Sequence, residues 1–255
     1  MKNENKYAAP ALDKGLDILE YLSSIGSPQS QAEVADALGR TPAEIFRMLA
    51  RLEYRGYIIR DPMSGKYHLS LKLYHLSHTH SPVESLRRAS LPAMQDLANK
   101  SGHSVHLSVL DQGALLVVAQ AKSPSPVSLS IAEGSRFPLS TTTSGMLLLA
   151  NMGYLEREDF LSLDEAYLGW SKKRQKDYRQ KLDTIQQSGH ACADSEITQG
   201  VTDIAAPIGK EGGSLLASLA ISTVSSIVGT KRLSTEELIK AAVETADRIS
   251  EANGI

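Results

Sequence analysis

The residues able to do chemistry in this 255-residue chain are few and scattered. The single thiol, Cys192, excludes an intramolecular disulfide and any multi-cysteine zinc motif. It lies in an alternating stretch with apolar or small neighbours and no helix start or glycine elbow to activate a thiolate, so a buried core cysteine is expected. His103 and His106 are three positions apart in a predicted strand, which sends them to opposite faces and denies them one substrate. His75, His78 and His80 crowd together without a nearby carboxylate or cysteine, and no metal site is assigned to them. Gly209, Gly212 and Gly213 surround Lys210 and Glu211 with no helix following, which fits a hairpin turn better than a phosphate loop. No cofactor motif is found. Two sets of residues do carry chemistry. One is arginine-rich, between Arg40 and Lys72. The other is Thr141-Thr142-Thr143-Ser144-Gly145, which opens an apolar run where the unpaired N–H groups of a helix start attract carboxylates, or where the hydroxyls simply cap that helix.

The elements around the arginines give them a purpose. Leu12, Leu16, Leu19 and Leu22 are spaced for one buried stripe on a first helix. Ser30-Gln31-Ala32-Glu33 is a capping box for a short second helix ending at Gly39, and Thr41-Pro42-Ala43-Glu44 caps a third. Two short helices about a glycine-containing turn form a helix-turn-helix, whose second helix enters the major groove. On that third helix Ile45, Met48, Leu49 and Leu52 are expected inside, leaving Glu44, Arg47, Arg51 and Arg55 on a polar face. Strand Tyr57 to Arg60, turn Asp61 to Gly65 and strand Lys66 to Ser70 then make a wing. Basic residues outnumber acidic ones locally, in a chain whose formal net charge is −2. The expected DNA contacts are Arg40, Thr41, Arg47, Arg51, Arg55, Arg60 and Lys66. Glu44 is assigned to the cap rather than to a base.

Beyond the wing, Ser81-Pro82-Val83-Glu84 is a third capping box, starting a helix that runs to Lys100 with Pro92 as an expected kink. A hairpin follows at His103 to Ala121, then strands at Val127 to Ile131, His190 to Asp194, Ile204 to Ile208 and Ser214 to Thr223. Helices are expected at Thr143 to Asn151, Lys173 to Gln187 and Ser234 to Ala252. This mixture reads as α+β. The domain expectation is 1–75 for a winged helix-turn-helix, 76–101 for a linker helix and 102–255 for a second domain. With 42% hydrophobic residues, no apolar leader and no apolar run near the ~20 residues of a membrane span, a cytoplasmic protein is expected.

The segments ALDKGLDILEYL, AEVADALG, TPAEIFRMLARLEYRGYIIRD and GKYHLS resemble the N-terminal signature of the IclR family of transcription regulators. SVHLSVLDQG, GSRFPLSTTTSGMLLLA, GHACADSEITQGVTDIAAPI and SLLASLAIST resemble its C-terminal domain, so the likeness spans nearly the whole chain. Where many members open the reading helix with Ser-Thr, this chain has Ala43 and Glu44. The resemblance implies a winged helix on double-stranded operator DNA, a GAF-like antiparallel sheet holding a small effector, and a homodimer or homotetramer. It also implies a pocket lined by Leu129, Phe137, Thr143, Ser144, Gly145, Asp203, Ile221 and Thr223. The function expected is a metabolite-modulated regulator, a repressor rather than an enzyme, responding to a carboxylate or sugar acid. Asp203 is either a pocket carboxylate, which would disfavour simple keto acids, or a surface residue of the Gly200 to Asp203 turn. An architectural DNA-binding protein without ligand and a hydrolase with an accessory DNA module are the alternatives.

Overall fold

The structure, a computed structural model, describes residues 9–79, 82–126, 128–209, 217–224 and 233–254. The chain divides between Ser81 and Pro82 into two compact units.

The first unit runs α1 (Pro10–Ile25), α2 (Gln31–Ala37), α3 (Pro42–Tyr54), β1 (Ile58–Arg60), β2 (Tyr67–Leu69) and α4 (Lys72–Thr79). The capping boxes expected at Ser30 and Thr41 form: each accepts from the backbone of the glutamate three residues on, which returns the bond, while the box expected at Ser81 lies outside the described residues. Gly39 has φ 59°, the left-handed conformation that lets α2 stop and the chain turn straight into α3. The wing is the antiparallel pair β1–β2, extended by a bridge from Gln29 to Tyr67. Ile18, Leu22, Val34, Ala35, Ile45, Leu49, Ile58 and Tyr67 form the core. This corrects the stripe expected on α1. Leu12 and Leu16 are exposed, and the helix turns Ile18 and Leu22 inward. Residues 72–79, read as a connector from sequence, are helical. His75 is exposed on that helix; the side chain of His78 and all of His80 lie outside the description.

The second unit opens with α5 (Pro82–Ser101), then β3 (Ser104–Asp111), β4 (Ala114–Ala121), β5 (Arg136–Pro138), α6 (Thr143–Ala150), α7 (Tyr154–Leu163), α8 (Glu165–Leu168), α9 (Lys172–Ser188), β6 (Ala191–Asp194), β7 (Val201–Ile208), β8 (Ala217–Val224) and α10 (Thr235–Ala252). One antiparallel sheet has the order β5-β4-β3-β8-β7-β6, so the unit is α+β as expected. Alternation splits its residues between two faces. Val105, Leu107, Ile204, Leu219 and Ile221 pack against α5 and α10, among Met94, Leu97, Ala242 and Ile249. Leu115, Ala205 and Ala220 face α6 and α9, among Leu147, Leu149, Leu182 and Ile185. Helix α5 is therefore part of this unit's core and is unbroken through Pro92.

Two sequence expectations fail here. Residues 128–131 form no strand; the short edge strand is β5, pairing Phe137 with Leu115. Cys192 is exposed, because edge strand β6 turns Ala191 and Ala193 inward instead. The glycine turn expected at 209–213 lies outside the described residues beyond Gly209, as does the start of the strand expected from Ser214.

Candidate functional site

In the first unit, the side chains expected to meet DNA are all surface residues around α3 and the wing, but they are not equally free. Arg40 sits 4.0 Å from Asp17, and Lys66 3.2 Å from Glu33. Arg60 lies over the Tyr67 ring and donates from Nε to the Gly65 carbonyl at 3.3 Å, bracing the wing turn. Arg51 stacks 5.0 Å above Tyr54. Arg47 and Arg55 have no side-chain partner among the described residues and are exposed. Thr41 is spent on the cap. Glu44 is held there too: it accepts from the Thr41 hydroxyl at 2.8 Å and from Lys14 Nζ at 2.6 Å. The Lys14 and Thr41 bonds pull its carboxyl down to about 2. A carboxylate so committed leaves the groove-facing surface to its neighbours.

In the second unit, a cavity of about 260 Å³ opens on the α6 side of the sheet. Its floor is His106 of β3, Leu115 and Val117 of β4 and Asp203 of β7. The segment Leu129 to Ala132 with Ser135 and Phe137 closes one side, and Ser195, Ile197 and Thr198 another. Thr141 to Ser144 supply the remaining wall. Five of the eight expected pocket residues line it, namely Leu129, Phe137, Thr143, Ser144 and Asp203.

Three do not. Gly145 faces away, against Leu139: a Cβ there would run into the Leu139 carbonyl and lie 2.7 Å from its Cα, so the glycine admits the chain itself rather than a ligand. Ile221 is fully buried on the opposite sheet face, against α5 and α10. Thr223 shares that register, and its hydroxyl donates to the Thr202 carbonyl. On β8 the residues that the resemblance implies are one position out of register with the cavity, and one position along a strand is the opposite face. Ser222 is the residue on the Asp203 side: its hydroxyl donates to Asp203 Oδ1 at 2.6 Å. Asp203 itself is on a strand, paired in register with Ala193 and Ser222, rather than in a turn.

His106 was missed as a wall residue, although the alternation of Ser104, His106 and Ser108 with Val105, Leu107 and Val109 marks a polar sheet face. It is 7% exposed. Burial lowers its pKa to about 4, so the imidazole is neutral. Burial also raises the Asp203 carboxyl, opposed by the Ser222 hydroxyl bond. At the start of α6, Thr142 Oγ1 accepts from Gly145 N at 3.1 Å and the Thr142 carbonyl from Met146 N at 2.8 Å. The two preceding amides, of Thr143 and Ser144, have no intrahelical acceptor. Ser144 Oγ is buried and lacks a hydrogen-bond partner. The wall thus offers donors at one end, a carboxyl and a neutral imidazole on its floor, and apolar side chains between. No Lys or Arg is among the described lining residues.

A winged helix with free arginines, in one chain with a domain that encloses a polar cavity, defines a ligand-responsive transcription regulator. Residues 11–62 match the IclR helix-turn-helix domain, and residues 80–251 match the bacterial transcriptional regulator IclR C-terminal domain. The chain belongs to the IclR family: it is a DNA-binding regulator whose operator binding is modulated by a small metabolite. The glycerol operon regulatory protein of Streptomyces coelicolor is 28% identical over 198 residues, 78% of either chain. The HTH-type transcriptional repressor AllR of Klebsiella pneumoniae is 25% identical over 250 residues, covering 97% of this chain and 91% of its own. An IclR homologue from Microbacterium hydrocarbonoxydans, solved with 4-hydroxybenzoate, shares the fold with a TM-score of 0.80 at 22% identity, over 96% of this chain and 99% of that one.

Proposed function

We propose that the chain is a cytoplasmic repressor, acting as a homodimer or homotetramer, whose effector is a hydroxylated carboxylate such as a sugar acid bound in the second unit's cavity. The observation that carries this is the pairing, in one cavity, of the unpaired donors at the α6 start with Asp203 and His106. A carboxylate satisfies the first. Ligand hydroxyls satisfy the second, donating to Asp203. A keto acid without hydroxyls would leave Asp203 with the Ser222 hydroxyl as its single donor. The DNA contacts fall first to Arg47 and Arg55. Arg51 follows, and Arg40, Thr41, Arg60 and Lys66 can reach phosphates by exchanging or sharing their present partners. The exposed Leu12, Leu16 and Leu76 supply apolar surface for a second copy.

Signalling has a physical route. Strands β3, β7 and β8 carry cavity-side residues on one face and α5-side residues on the other, and α5 begins at the boundary with the first unit. Effector-driven shifts in those strands would reposition α5 and change the spacing of the winged helices on two half-sites. The chain is not proposed to be an enzyme: partial burial and nearby Asp194 and Asp203 raise the Cys192 thiol, against its acting as a thiolate nucleophile.

The test is fluorescence anisotropy with DNA from upstream of the chain's own gene against scrambled DNA at two salt concentrations. Sugar acids, matched polyols and keto acids are then titrated in. Sequence preference that survives raised salt and is released by a sugar acid is expected, as is loss of that release in Ser144→Ala with operator affinity kept. Equal, salt-sensitive binding to both DNAs, or a response to keto acids alone, would reject the proposal.

A further inference from the structure

The face that α3 turns to solvent is not the polar one its arginines suggested. Ala43, Phe46, Arg47, Ala50 and Tyr54 fall at i, i+3, i+4, i+7 and i+11, which places them on one stripe opposite the buried Ile45 and Leu49. All five are exposed, Phe46 at 52%. Glu44 is locked into the cap, and Arg51 and Arg55 lie along the flank. The outward stripe of a reading helix is thus apolar around one free guanidinium. An isolated surface phenylalanine is unremarkable. This one is placed on the second turn of the helix that enters the major groove, where the first turns meet base edges, and it is bordered by cations. Its partner must therefore be anionic at its edges and apolar within. Duplex DNA meets that description where a thymine presents its 5-methyl group between the phosphate walls, and apolar contact from alanine or phenylalanine is how that methyl is read.

We propose that Ala43, Phe46 and Ala50 read thymine methyl groups in the operator, with Phe46 as the specificity-determining residue and Arg47, beside it, taking an adjacent guanine edge or phosphate. The proposal rests on the operator-binding reading and adds which base feature is recognised. It also gives a use to the Ala43-Glu44 departure at the helix start: the small Ala43 side chain leaves room for a methyl where a hydroxyl would seek phosphate.

The experiment selects a preferred duplex from random DNA with the full-length chain, then replaces each thymine of the half-site singly with deoxyuridine, which deletes the methyl alone. The wild-type chain is expected to lose about fourfold in affinity at one or two thymines, the worth of one buried methyl-sized group. Phe46→Ala should bind the thymine operator several-fold more weakly and show no further loss on uracil replacement at one or more of those positions, while Phe46→Leu keeps the sensitivity at all of them. Uracil insensitivity of the wild type at every thymine would overturn the proposal. So would undiminished sensitivity in Phe46→Ala, which would place Phe46 on sugar-phosphate or on another protein. Failure to enrich any sequence would overturn the operator reading along with this one, whereas an enriched but uracil-insensitive operator overturns this one alone.

Discussion

His106 sits in the cavity floor as a neutral imidazole, and its burial has a price in acid. The unfolded chain takes up a proton near the ordinary value of 6.5, whereas the folded side chain resists until about pH 4. Between those values the unfolded state binds more protons, so stability is full above pH 6.5 and falls as pH drops toward 4. By pH 5 the loss from this group is about 2 kcal/mol. Asp203, whose raised carboxyl works in the opposite sense, is present in both chains of a comparison between wild type and His106→Gln and cancels in the difference. Urea unfolding at pH 7.5 and pH 5 should show the variant losing about 2 kcal/mol less than wild type. An identical loss in both would mean that His106 is already solvated. The same burial explains why His106 escaped sequence reasoning. A histidine in a strand is ordinary, and only the position of the cavity distinguishes it from Ser104 or Ser108. Asp203 was legible as an anomaly in an apolar stretch, but choosing between turn and strand needed the register with Ser222.

At the scale of elements, the helices that sequence located best are those with capping chemistry. The boxes expected at Ser30 and Thr41 form, and the structure adds one at Ser234, where the expected helix begins. Helices α4, α7 and α8 went unread because their apolar residues make no clear stripe: Leu73, Tyr74 and Leu76 of α4 and Tyr154, Leu155 and Leu163 of α7 stay exposed. Strand β8 failed differently. Ser218-Leu219-Ala220-Ile221-Ser222 is buried on both faces, so its sequence does not say which side holds the cavity, and a one-residue slip goes unnoticed. Glycines separate two physical cases. Gly15 in α1 has open space about its Cα and an ordinary backbone conformation, so Gly15→Ala should stabilise its unit by about 1 kcal/mol through helix propensity. Gly145 in α6 has the same helical preference but Leu139 against it. Gly145→Ala should therefore destabilise by about 1–3 kcal/mol as α6 or the β5–α6 segment is forced outward, and should weaken effector binding by moving the Thr143 and Ser144 amides. Thermal melts read both signs. A stabilised Gly145→Ala would show that the approach of Leu139 is slack.

The whole molecule joins a small unit to a larger one, and among the described residues the core cluster of the first and the two of the second share no residue across Ser81–Pro82. Cooperativity follows shared burial, so two such units are expected to unfold in two steps rather than one. Each ligand then labels its own step. An effector that binds only the folded second unit raises that transition by RT ln(1 + [L]/Kd), about 2.7 kcal/mol at a hundredfold excess over Kd, and leaves the first where it was. Operator DNA does the reverse. The two glycine substitutions should sort in the same way, Gly15→Ala raising the first transition and Gly145→Ala lowering the second. Differential scanning calorimetry of the full chain, alone, with a sugar acid, and with operator, tests all of this in one set of scans. A single transition that both ligands raise together would show instead that the units fold as one body. Signalling would then need no separate repositioning of α5, because the free energy of effector binding would already be shared by both units.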